Sequence, residues 1–242
     1  MPAAPRLLAT LLDTFFPRRC ALCGVFDTWA CDSCLRTACT PRIEPWNRPF
    51  GASRISQSSK LISLGLYHEP LLAHLMDLYK FHNARDIGDT LGTLLALGTR
   101  QFIQQHYSTA KPIILIPIPL HRKRIRERGF NQNARIAHAL FMALGVAQAQ
   151  YRPDLLQRTR YTTHQTTVAT KDRAANIAGA FALHPDTDRT SVITGSHILL
   201  IDDIATTGAT LNEATQVIMQ QHPASIDYIT ALRSSAQTDL QE

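Results

Sequence analysis

The sequence predicts an α/β fold, a mainly parallel sheet flanked by helices, and three observations carry that reading. Apolar runs of strand length recur at 61–67, 113–118, 198–201 and 226–232, with stretches of helical spacing between them. The run Ile198-Leu199-Leu200-Ile201 does not alternate, as suits a strand buried on both faces of a parallel sheet. It ends at two acids and a small hydroxylated loop that opens into a further helical pattern, the usual place for a ligand in such sheets.

Taken in order, residues 5–16 place Leu7, Leu8, Leu11, Leu12, Phe15 and Phe16 on an amphipathic helix interrupted by Asp13. It is too short to span a membrane and has no small-residue cleavage site, so no membrane insertion is expected and the cytoplasm is the default location. Cys20-x-x-Cys23 and Cys31-x-x-Cys34 follow, two knuckles separated by seven residues. In a reducing compartment this spacing suits structural, tetrahedral zinc, with disulfides or a redox pair as the alternatives. Four sulfurs leave no position for a catalytic water, and Cys39 falls outside the pattern as a spare thiol. Residues 41–60, with Pro41, Pro45 and Pro49, read as a surface linker between a small module at 1–40 and a main domain at 61–242.

In the main domain, a strand at 61–67 precedes helical patterns at 70–79 and 86–106. The strand at 113–118 leads into five cations within seven residues: Arg122, Lys123, Arg124, Arg126 and Arg128. Such a cluster neutralises a pyrophosphate, clamps a nucleic-acid backbone, or is a solvated face; its place beyond a strand's carboxyl end argues against the last. A helix over 131–144 is closed by Gly145, and its Ile136, Ala137, Leu140, Phe141 and Leu144 share one face. Residues 151–176 are polar, threonine-rich and basic, without clear periodicity, and read as a mobile lid or else a surface insertion.

Composition agrees with this plan. The chain has 242 residues, 45% hydrophobic and 18% charged, enough for one sizeable core and a small appendage. Lys and Arg number 25 against 19 Asp and Glu, a formal charge of +6 that favours polyanionic ligands.

The most telling segment is Asp202-Asp203-Ile204-Ala205-Thr206-Thr207-Gly208-Ala209-Thr210. Thr206, Thr207, Gly208, Ala209 and Thr210 offer hydroxyls and approachable amides to a phosphate at a helix start, where the helix field contributes about 0.3 to 1 kcal/mol. Ionised Asp202 and Asp203 accept hydrogen bonds only, which suits the vicinal hydroxyls of a ribose or a cation nearby. The plainer reading of Thr210-x-x-Glu213 is a helix capping box, with Leu211, Ala214 and Ile218 as an ordinary apolar stripe ending at Pro223. That explains Thr210 and leaves the acids, the other threonines and the glycine unexplained.

This loop resembles the signature of type I phosphoribosyltransferases, which bind 5-phosphoribosyl-1-pyrophosphate (PRPP). The cysteine pairs, the Tyr79-Lys80-Phe81 run, the stretch from Pro117 to Gln132, and Arg173-x-x-Asn176-x-x-Gly179-Ala180-Phe181 further resemble the ComF family of competence proteins. The resemblance implies a type I phosphoribosyltransferase-like domain after a four-cysteine zinc module, and a role in natural transformation and DNA uptake. It implies Mg2+-dependent displacement of pyrophosphate from PRPP through an oxocarbenium-like transition state, the 151–176 stretch being the loop that closes over PRPP. PRPP would contact Asp202, Asp203, Ala205, Thr206, Thr207, Gly208, Ala209 and Thr210. Asp203 and then Asp202 are the first choices for the ribose contact, and Arg126 and Arg128 for the leaving group.

The acceptor is not legible; residues 61–110 would form the hood that recognises it, and His68, His74, His82 and His106 there read as scattered polar residues. The surplus of cations supports a second reading, a single-stranded DNA-binding module with PRPP as ligand or regulator. There Arg122, Lys123 and Arg124 track phosphates while Phe130, Tyr161 and His164 stack bases; Phe130 next to basic residues is equally a core anchor. The chain has no Gly-x-x-x-x-Gly-Lys-Ser/Thr loop, so any motor or helicase that moves DNA is a separate partner.

Overall fold

The computed structural model describes residues 17–46, 59–82, 84–161 and 177–234, and it gathers all four apolar runs into one sheet. The expected helix at 5–16, the whole of 162–176 including His164, Arg173 and Asn176, and more than half of the expected linker lie outside these residues. In chain order the elements are α1 (Asp32–Ala38), β1 (Arg42–Pro45), β2 (Lys60–Leu66), α2 (Pro70–Phe81), α3 (Asp86–His106) and β3 (Ile113–Pro117). There follow α4 (Arg122–Arg128), α5 (Gln132–Leu144), β4 (Ala149–Tyr151), β5 (Leu156–Arg158), β6 (Phe181–Leu183) and α6 (Thr187–Thr190), which runs into a 3-10 turn at Ser191–Ile193. Last come β7 (His197–Ala205), α7 (Ala209–Met219) and β8 (Ser225–Arg233).

The main sheet has the order β1-β2-β8-β7-β3-β4, and every pairing is parallel except β1 with β2. Alternating residues feed two cores, one on each face. Leu115, Leu199, Ile201 and Ile229 face α2, α3 and α5, whereas Ile114, Ile116, Ile198, Leu200 and Tyr228 face α7 and the β5-β6 ribbon. Cys20, Cys34 and Leu35 join the first of these cores, so the cysteine module packs on the sheet domain. Arg18 and the Trp29 indole both donate to Asp86 in the first turn of α3, at 2.9 and 3.1 Å.

Two expectations need correction. The stretch expected as a linker supplies β1, an antiparallel edge strand, and buries Trp46 against Tyr228 with ring centroids 5.4 Å apart. The proline-rich composition hid an edge strand, where a missing N–H costs nothing. The stretch from 151, read as irregular, contains the end of β4 and a short ribbon, β5 with β6, whose strands of three residues are too brief to show a period. The basic run is itself a helix, α4, capped by the His121 ring nitrogen at one end and by left-handed Gly129 (φ 78°) at the other.

Local chemistry fixes the helices that reach the site. Pro70 occupies the first turn of α2, and Asp86 and Asp89 the first turn of α3. The Asn131 side chain accepts from the backbone N–H of Asn133 and Ala134 and so starts α5. Helices α3 and α5 cross closely at Gly92, where an added Cβ would lie 2.5 Å from the Ile136 carbonyl oxygen and 2.7 Å from the Leu140 nitrogen. Backbone cannot yield as a flexible side chain would. Gly92→Ala is therefore expected to cost about 1 to 3 kcal/mol, read as a lowered urea midpoint with an unchanged slope.

Candidate functional site

Strand β3 leads on to β4 on one side and the later chain returns to β7 on its other side, so the carboxyl ends of β3 and β7 border a switch point of the sheet. The acid pair lies there because β7 runs further than its apolar stretch, to Ala205, carrying Asp202 and Asp203 as its last turn outward from the core.

Three dipeptides from three elements are laced together at this point. Asp202 is buried; its Oδ1 accepts from Asn133 Nδ2 at 2.8 Å and from the Asp203 backbone N–H at 3.0 Å. Asn133 also donates to the carbonyl oxygen of Ile118, just past β3, at 3.0 Å. Its neighbour Gln132 presents a carbonyl oxygen to the buried hydroxyl of Tyr79 at 2.8 Å. Lys80, next to Tyr79 near the end of α2, reaches Asp203 Oδ2 at 2.9 Å, with both side chains about one-sixth exposed (16% and 17%). Tyr79 can lie flat against α3 because Gly88 has no Cβ to meet its hydroxyl.

Burial first, and the neighbouring charge of Asp203 second, push Asp202 up to about 7, while the Asp203 amide, Lys80 and Asn133 oppose them. Two arginines feel this pair. Arg128 is half-buried and lowered by desolvation, with Asp203 opposing and Arg124 assisting; Arg158, on β5, is lowered by desolvation, with Asp202 opposing and Arg124 assisting. Arg158 lies over the Phe181 ring, 5.3 Å from its centroid. Arg122, Lys123 and Arg126 are exposed. The five cations thus divide: Arg128 feels Asp203, Arg124 is partly exposed beside Arg128 and Arg158, and the other three are exposed.

Ala205, the last residue of β7, is buried; beyond it Thr206 is exposed, Thr207 and Thr210 are partly exposed, and Gly208 takes a left-handed conformation (φ 77°) as the cap of α7. The amide of Ala209 donates to Thr207 Oγ1 at 3.4 Å. The capping box expected between Thr210 and Glu213 does not form: Gly208 is the cap, and Glu213 Oε1 instead accepts from the Gly179 N–H at 2.6 Å. Arg160 donates to the Ala178 carbonyl at 2.7 Å, joining the residue that precedes Tyr161 to the turn that meets α7.

Phe130, expected as a stacking platform or a core anchor, is engaged by Tyr79 (centroids 5.5 Å apart) and by the Arg85 guanidinium (5.0 Å). It serves as an anchor under the turn after α4. Tyr161 instead meets the basic helix, with Lys123 Nζ 4.6 Å over its ring and His121 edge-on at 5.3 Å. Sequence reasoning did not assign Lys80, Asn133 or Arg158 to the site. Lys80 lies within one stretch used for the resemblance and Asn133 adjoins another, but only the fold brings them to the acids.

The Sγ atoms of Cys20, Cys23, Cys31 and Cys34 all lie within 4.8 Å of one another, a set that fits a tetrahedral thiolate-bound ion. The first knuckle turns at Gly24 (φ 74°), whose N–H donates to the Cys20 carbonyl at 2.9 Å. The Cys31 N–H points at Cys20 Sγ, 3.4 Å away, as backbone amides do around metal thiolates. Cys39 stands apart, its thiol pushed up to about 11 by burial and then by Glu69.

Residues 93–242, more than half of the chain, match the family model described as the phosphoribosyl transferase domain. The chain is similar to "Competence protein F" of Haemophilus influenzae, with 31% identity over 159 residues, which are 66% of each protein and so about two thirds of that relative's length. It is similar to "DNA utilization protein YhgH" of Shigella flexneri, with 27% identity over 90% of this chain and 84% of that one. Among solved structures, L. donovani hypoxanthine-guanine phosphoribosyl transferase aligns with 18% identity and a TM-score of 0.38, over 60% of this chain and 71% of that one.

Two outcomes are expected. Elemental analysis should find one zinc per chain, lost together with thermal stability in Cys20→Ser and Cys34→Ser. Asp202, raised from 3.8 to about 7, binds its proton more tightly when folded. The stability this adds is complete below about 4 and disappears as pH rises through about 7. Urea unfolding of Asp202→Asn should therefore gain on the natural protein across that window and run parallel to it above.

Proposed function

The chain belongs to the phosphoribosyl transferase domain family as a ComF-like member, and on that premise we propose that it binds PRPP at the carboxyl end of β7. One observation carries the reading: a laced acid pair, Asp202 buried and Asp203 partly exposed, stands directly before a hydroxyl-rich loop that turns at left-handed Gly208 into α7. The Thr206–Thr210 amides and hydroxyls would take the 5-phosphate, each charge-assisted hydrogen bond contributing roughly 1.5 to 3 kcal/mol. Asp203, partly exposed beside Lys80, would accept from the ribose hydroxyls, with Asp202 behind it.

The reaction this arrangement suits is transfer of the phosphoribosyl group to an acceptor that remains to be identified. The bond from the anomeric carbon to pyrophosphate breaks, one from that carbon to the acceptor forms, and the acceptor loses a proton. Arg128, Arg124 and Arg158 would meet the charge gathering on the leaving pyrophosphate; Arg126, the other arginine expected there, is exposed. Asp202 and Asp203 are already engaged by Asn133 and Lys80, so Mg2+ would be held chiefly by the ligand's own oxygens, where it supplies further charge neutralisation.

A second reading has its own support. Arg122, Lys123 and Arg126 are exposed and Lys123 lies over Tyr161, a cationic and aromatic strip suited to single-stranded DNA. The printed names of the relatives, competence protein F and DNA utilization protein, agree with a DNA-handling role, in which a separate motor would move the strand. Among the described residues no helix is long and apolar enough to cross a membrane.

Calorimetric titration with Mg2+-PRPP and with a short oligonucleotide, followed by an assay for pyrophosphate, tests both. Saturable PRPP binding that Asp203→Asn abolishes is expected, and affinity unchanged by that substitution would refute the assignment. Acceptor-dependent pyrophosphate favours the transferase. Mutual displacement of PRPP and DNA without turnover favours the binding module.

A further inference from the structure

We propose that Lys80 is a positioning residue for the acid pair, holding Asp203 ready for the sugar ester while Tyr79 holds Lys80. The proposal rests on the PRPP-binding reading above and names a residue that neither the signature loop nor the basic helix contains.

The geometry is specific. Lys80 arrives from α2, outside the residues that match the family model, and its Nζ lies 2.9 Å from Asp203 Oδ2 with both side chains largely withdrawn from water. A lysine on an ordinary helix end samples many rotamers, at a cost of up to about 2 kcal/mol to immobilise. Here its neighbour Tyr79 is fully buried, hydrogen-bonded to the Gln132 carbonyl and packed on Phe130, so the backbone that carries Lys80 is already fixed. The same stretch of α5 supplies Asn133 to Asp202. One end of α2 and one start of α5 therefore hold the two carboxylates separately, each by its own donor.

The charged and titratable groups around the pair are Lys80 and Tyr79 from α2, Arg128 from α4 and Arg158 from β5, besides the two acids themselves. Among these, Lys80 alone makes a direct ion pair with either acid in the described residues. Without it, the two adjacent carboxylates would repel each other at the strand end with Arg128 as the remaining cation near Asp203. A substrate carrying several negative charges would then approach an acid pair whose own repulsion is less well balanced.

Ligand-free and ligand-bound measurements separate this inference from the reading beneath it. Melting temperatures of Lys80→Met, Asp203→Asn and the double variant are expected to be non-additive, the second substitution costing little once the first is made. Additive losses would overturn the proposal whether or not PRPP binds. In calorimetry, Lys80→Met should weaken Mg2+-PRPP at least about tenfold, and Lys80→Arg should restore most of it. The deficit should be larger at pH 6 than at pH 8, because the Lys80 charge helps Asp202 lose its proton. Unchanged affinity in Lys80→Met, or a deficit equal at both pH values, would also overturn it. Should the natural protein bind no PRPP, the ligand assignment fails, and the unfolding cycle still decides whether Lys80 holds Asp203.

Discussion

A carboxylate buried at the end of a central parallel strand must be satisfied by its surroundings, and much of this molecule's arrangement follows from doing so for Asp202. A charged group left without partners there would cost several kcal/mol. Asn133 meets it by a side-chain amide that simultaneously ties down the chain after β3. To present that amide, α5 must begin where it does, which Asn131 secures as its cap. To keep α5 in place, α3 crosses it at the distance only Gly92 permits. The site is thus less a loop placed on a scaffold than the point where three helices and two strands agree.

The cysteine module belongs to the same construction. Its Cys20, Cys34 and Leu35 complete the core against α2 and α3, and its Arg18 and Trp29 converge on Asp86. Arg85, one residue earlier, lies over the Phe130 ring beside the basic helix. A cysteine-rich unit of this size has little core of its own, and docking supplies what it lacks.

Much of this was legible in the sequence, for physical reasons that can be named. Residues 86–106 and 131–144 repeat their apolar positions over several turns, and the helices α3 and α5 match them nearly end to end. The non-alternating 198–201 run marked a strand covered on both faces, and the two acids after it lie near that strand's carboxyl end. Strands of three or four residues were not legible, because β1, β5 and β6 are shorter than a period can establish. Lys80, Asn133 and Arg158 were missed for a different reason. Each is unremarkable among its sequence neighbours and acquires a role only through residues between 44 and 123 positions away.

The alternation of β7 has a last consequence. Successive side chains on a strand leave it in opposite directions, and the two acids have different partners: Asp203 pairs with Lys80 of α2, whereas Asp202 accepts from Asn133 of α5 and is the acid that Arg158 feels. Two chemically identical neighbours are therefore not understudies for one another. A protein that has lost one of them retains no half-strength version of the pair but a differently handed constellation, and reading such a variant as a partial deficit would mistake what the backbone has assigned.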